Sequence, residues 1–106
     1  MGCAEYSEGT FRYVDHPELV PVELANGSGD PQSTGIGMVF ASSIGTGTCD
    51  EVAVAALRDL LASAKAIGAQ AVEEVQFRGR REWLGRVVCR GTSGERTASV
   101  RGVAVE

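Results

Sequence analysis

Histidine is nearly missing from this chain: His16 is the only one, alongside three cysteines and one tryptophan in 106 residues. General acid–base chemistry at neutral pH draws first on histidine, and His16 stands before Pro17 in a polar stretch with no evident catalytic partner. No C-x-x-C pair and no acidic cluster at ligand spacing is present, so the sequence implies no zinc or calcium site and no cofactor. No apolar run approaches the ~18 residues a membrane-spanning helix needs. Positive charge is also short. With a formal net charge of −4, the chain lacks the clustered cations that supply most of the affinity of non-specific nucleic-acid binding, and nucleic acid is not an expected partner. These shortages point away from an enzyme, a dedicated metal protein and a nucleic-acid binder.

What is there is ordinary globular composition, 43% apolar and 23% charged, in a chain long enough for one core. The charge is unevenly spread. Up to residue 67 the only cations are Arg12, Arg58 and Lys65, whereas arginines outnumber acids from residue 68 onward. Residues 1–16 read as a tether or loosely packed N-terminal segment, with 11–14 as a possible strand. Residues 17–106 read as a single domain.

Within that domain, residues 19–24 (LVPVEL) read as a short strand that Pro21 confines to a sheet edge, because proline cannot donate to a ladder. Residues 25–34 (ANGSGDPQST) concentrate turn formers and read as an exposed, mobile loop. Residues 37–43 (GMVFASS) read as a buried strand, followed by Gly45-Thr46-Gly47. Thr48 and Glu51 then form an S/T-x-x-E capping box. Asp50 and Glu51 complement the helix dipole and Gly68 supplies a stop, so the pattern predicts a helix over residues 49–67. Ala53, Val54, Leu57, Leu60, Leu61, Ala64 and Ile67 form its apolar stripe, and Arg58, Asp59, Ser63 and Lys65 face water.

Three further strands are predicted at 71–77, 82–90 and 97–105, joined by turns of hairpin length. By period two, Trp83, Gly85, Val87 and Cys89 share one face of the second. Ala98, Val100, Gly102 and Ala104 give the third a face of small and branched residues that fits beneath a helix. The expected fold is α+β, with one central helix packed on a mostly antiparallel sheet in the order β-β-α-β-β-β.

Three features could carry chemistry. Gly45-Thr46-Gly47 lies where a dinucleotide fingerprint would cradle pyrophosphate, but its third glycine position is Asp50, whose charge repels phosphate. The turn is therefore read as structural. Arg78, Arg80 and Arg81 with Trp83 are residue types enriched at binding hot spots and form the candidate partner-binding patch; a solvated hairpin turn is the plainer account of them. Of Cys3, Cys49 and Cys89, two can pair. A bridge between Cys49 and Cys89 would close a loop of about 41 residues and stabilise the fold by roughly 4 kcal/mol. Left reduced, Cys49 at a helix N-terminus would have a lowered pKa and be reactive, which opens a small thiol enzyme as an alternative.

Residues 64–72 (AKAIGAQAV) resemble the helix-end signature A-x-x-x-G-A-x-A-V shared by RcsF-type envelope-stress lipoproteins and YbjQ-type small bacterial proteins. Residues 101–105 (RGVAV) resemble the Gly-x-Ala ending of their last strand, and Gly47-Thr48-Cys49 is similar to the Gly-x-Ser-Cys that opens the RcsF helix. The resemblance covers about residues 36–106. It implies a periplasmic domain whose helix-opening cysteine is bridged to one in the C-terminal strands, which maps onto Cys49 and Cys89. The chain departs from the RcsF pattern in having no second disulfide pair and no long proline-rich linker, and signalling through the Rcs pathway is not carried over.

Gly2-Cys3-Ala4 also looks like the end of a lipoprotein signal, with the lipid on Cys3 and the apolar leader removed. A native cytosolic start with a free Cys3 is the alternative. Tyr6, where myristoylation prefers Ser or Thr, disfavours that modification. The expectation is a non-catalytic, lipid-tethered periplasmic binding or sensor domain of the bacterial envelope, touching an envelope protein partner and meeting the membrane only through Cys3. A cytosolic YbjQ-type oligomer and a thiol enzyme using Cys49 are the alternatives.

Overall fold

The structure, a computed structural model, describes residues 6–10, 12–24, 35–77, 87–91 and 95–106. Its fold is α+β: one helix, α1 (Cys49–Ala66), lies on a mixed six-stranded sheet. The strands are β1 (Tyr6–Gly9), β2 (Val22–Leu24), β3 (Gly35–Gly45), β4 (Ala71–Phe77), β5 (Val87–Arg90) and β6 (Arg96–Val105).

β6 is the hub. One of its edges pairs antiparallel with β3 along its whole length, and the other pairs antiparallel with β4 toward its C-terminal end and with β5 toward its N-terminal end. β1 adds to β5 antiparallel, while β2 adds to β4 and is the one parallel pair among the described residues. β4 carries a bulge between Glu73 and Gln76, where Glu74 takes the left-handed conformation (φ 53°). A bulge inserts one extra residue and bends its strand.

α1 forms where the capping signal places it. Thr48 is the N-cap, Glu51 closes the capping box, and Ile67 is the C-cap, followed by Gly68 at φ 93°. The buried residues Ala53, Val54, Leu57, Leu60, Leu61 and Ala64 match the expected stripe, and Cys49, Val52 and Ala56 widen it. Ile67 is a correction: placed on the core stripe by its spacing, it is exposed, because the helix has ended and the chain turns away there. Ala98, Val100, Gly102 and Ala104 are all buried on β6, which packs against α1 together with β3. A Cβ on Gly102 would lie 2.6 Å from Val72 Cγ1 and 3.2 Å from Glu73 O, so only glycine lets β4 cross there.

Three strand expectations change. Residues 19–24 split into a 3-10 turn at Pro17–Leu19, whose Leu19 is fully buried, and the short β2. Pro21 stays outside the strand, yet its carbonyl accepts from Val72 N at 2.9 Å. In the N-terminal segment the strand is Tyr6–Gly9, one more than the predicted order contains, and Tyr13–Asp15 is a 3-10 turn. The run expected to be a buried strand is the 11-residue β3, which is mostly exposed. Among the described residues it pairs only with β6, which leaves its other edge open, and α1 covers only the face that carries Val39. The mobile loop predicted at 25–34 lies outside the described residues.

Candidate functional site

The capping box that starts α1 also fixes the orientation of Cys49. Thr48 N donates to Glu51 Oε1 at 2.9 Å, and Glu51 N donates to Thr48 Oγ1 at 3.4 Å. With the first turn held, Cys49 points inward, and its Cα lies 5.7 Å from that of Cys89 on β5; the two are joined by a disulfide. That separation is ordinary for a bridge. β1 packs over the same corner: Ser7 pairs with Cys89, and a Cβ on Gly9 would lie 2.9 Å from Asp50 N. Arg96 of β6 closes the corner by donating from Nη1 to Gly47 O at 2.7 Å.

The chemistry open to this corner is narrow. Attack on a disulfide needs a thiolate to reach a sulfur, and Cys49 and Cys89 are 5% and 0% exposed. Bridged, Cys49 has no thiol to serve as a nucleophile. Each sulfur lies near a main-chain oxygen: Cys49 Sγ is 3.6 Å from Ser7 O, and Cys89 Sγ is 3.2 Å from Cys49 O. Reduction would therefore leave each S–H, a weak donor, with an acceptor in reach. The Gly45-Thr46-Gly47 turn is filled by the chain itself, with the Glu51 carboxylate against Gly47 and Arg96 on its carbonyl.

A second polar group sits at the far side of the helix. Glu18 Oε2 accepts from Arg58 at 2.8 Å (Nε) and 2.7 Å (Nη2), and His16 Nδ1 lies 4.0 Å from the same oxygen. A backbone amide and the Arg58 guanidinium hold the Glu18 carboxyl below the usual carboxylate range. All three residues are at least partly solvated, and such exposed pairs contribute little to stability. Tyr13 donates its hydroxyl to the Val22 carbonyl, and burial pushes its pKa above the ordinary phenol value.

Cys3, Arg78, Arg80, Arg81 and Trp83 lie outside the described residues, so of the candidate site residues the structure brings together Cys49 and Cys89. Among the described residues, no group of three or more His, Cys, Asp or Glu could hold a metal ion, and no helix is long and apolar enough to cross a membrane.

One feature escaped the sequence reading. β3 turns Met38, Phe40 and Ile44 away from the helix, 52%, 62% and 65% exposed, with Ile36 exposed beside the bulge at its start. Val39, on the opposite face, is buried. The signal lies in the large residues Ile36, Met38 and Phe40 at period two, resumed by Ile44 after Ser42, but a run without charge reads as buried on both faces. No protein-family model, no curated protein and no solved structure matches this chain.

Proposed function

We propose that this chain is a non-catalytic binding or sensor domain of the bacterial envelope, working outside the cytoplasm and tethered by a lipid on Cys3. The observation that carries the reading is the bridge between Cys49 and Cys89, buried at the junction of α1, β5 and β1. Structural disulfides persist in oxidising compartments and are rare in reducing ones. The same pair is what the RcsF resemblance implies. In this reading the bridged corner is scaffold, and Arg78, Arg80, Arg81 and Trp83 offer the surface for an acidic envelope partner.

The test is to recover the protein from its own cells with thiols trapped by an alkylating agent, then weigh it intact. The expected result is a bridged chain, two hydrogens lighter than its reduced form, in the envelope fraction. Alkylated Cys49 and Cys89 in a cytosolic fraction would reject the reading.

The cytosolic YbjQ-type oligomer remains as a second reading, and the exposed apolar face of β3 favours it. A thiol enzyme using Cys49 is disfavoured, since that side chain is buried and bonded.

A further inference from the structure

Natural sheets protect their edges with charge, proline or short strands; β1 and β2 follow that rule, and β3 does the reverse. Its interior strand β6 presents Arg101, which donates to Gln76 Oε1 of β4 at 3.2 Å, on the face away from the helix. Its edge strand β3 presents Met38, Phe40 and Ile44 on that face and has no charged residue and no proline in 11 residues. Nothing in β3 resists a further strand.

The order of residues says which strand fits. GIGMVFASSIG is close to a palindrome about Phe40: Gly35 mirrors Gly45, Ile36 mirrors Ile44, Gly37 mirrors Ser43 and Val39 mirrors Ala41, while Met38 against Ser42 is the one pair unlike in size and polarity. An isologous twofold contact needs a surface complementary to itself, and antiparallel pairing of two such strands supplies one. It places Phe40 against Phe40, each Ile36 against an Ile44, and small residues against each other on the helix side. Because β3 is uncharged, no like charges meet, although each copy carries a net charge of −4.

We propose that β3 is a self-association edge, through which two copies of this chain pair antiparallel about a twofold axis at Phe40 and join their sheets into one. This does not depend on the envelope reading. An edge of 11 residues is about 37 Å long and one sheet thick, less than a standard interface offers, so the dimer dissociates on dilution.

Sedimentation analysis of the full chain from low micromolar to several hundred micromolar tests it. The wild type is expected to pass from monomer to dimer over that range. Phe40→Lys and Phe40→Glu each set like charges face to face on the axis and should remain monomeric with an unchanged helical circular-dichroism signal. Mixed in equal amounts, they should recover the dimer. Ile44→Lys, at the end of the strand, should lose it as well. A wild type that stays monomeric throughout, one that assembles beyond two copies, or a dimer that survives Phe40→Lys overturns the proposal.

Discussion

Gly102 shows how much of this fold turns on single atoms. Its missing Cβ is the space into which Val72 and Val75 project from β4, at 2.6 and 3.0 Å from where that carbon would stand. Gly102→Ala should cost about 1–3 kcal/mol, the usual effect of forcing a packed core apart, read as a lower urea midpoint with an unchanged slope. Tyr13 makes a second residue-scale prediction. Burial, the main cause, raises its pKa, so the folded state holds the phenolic proton more tightly than the unfolded chain. Its stabilising effect is then complete below about pH 10, the ordinary phenol range, and is lost as pH rises through the higher folded value. Tyr13→Phe removes the bond to the Val22 carbonyl, about 0.5–1.5 kcal/mol at neutral pH. It should also flatten the alkaline slope of thermal unfolding. The same slope in both proteins would mean that Tyr13 titrates alike folded and unfolded.

At the scale of elements, α1 is the part written most plainly in the sequence, because a capped helix declares its ends locally. Thr48→Ala removes the side-chain half of the capping box, leaving Glu51 N without its acceptor while the Thr48 amide can still donate to Glu51, and should cost about 1 kcal/mol, measurable as a lower melting temperature with α1 otherwise intact. β4 and β6 were also legible, since their alternation is set by α1 on one face. What could not be read was which strand had a neighbour. Residues 37–43 are apolar enough for a buried strand, and it is the packing of α1 on the other face of the sheet that leaves Phe40 in water. Residues 19–24 failed for a related reason: Leu19 is buried from a 3-10 turn rather than a strand, and burial by itself does not reveal backbone conformation. The bridge was legible as one possible pairing among three cysteines, but its position under β1 was not, because β1 is short and polar in sequence. A polar strand of four residues is specified by its partner more than by its own composition.

For the whole molecule, the disulfide links residues 40 apart and ties the helix to the half of the sheet formed by β1 and β5. Removing it by Cys49→Ser with Cys89→Ser should lower the unfolding free energy by up to about 4 kcal/mol in the chain-entropy view. A double variant as stable as the bridged protein would make the bridge incidental to folding. The central place of β6 has a further consequence for how the protein comes into being. Every strand that β6 holds is earlier in the chain, so on the ribosome β3, β4 and β5 emerge before the template that pairs them. A nascent chain therefore carries the apolar, chargeless β3 with both edges bare until β6 has emerged behind it. It is during that interval that holding chaperones have most to do.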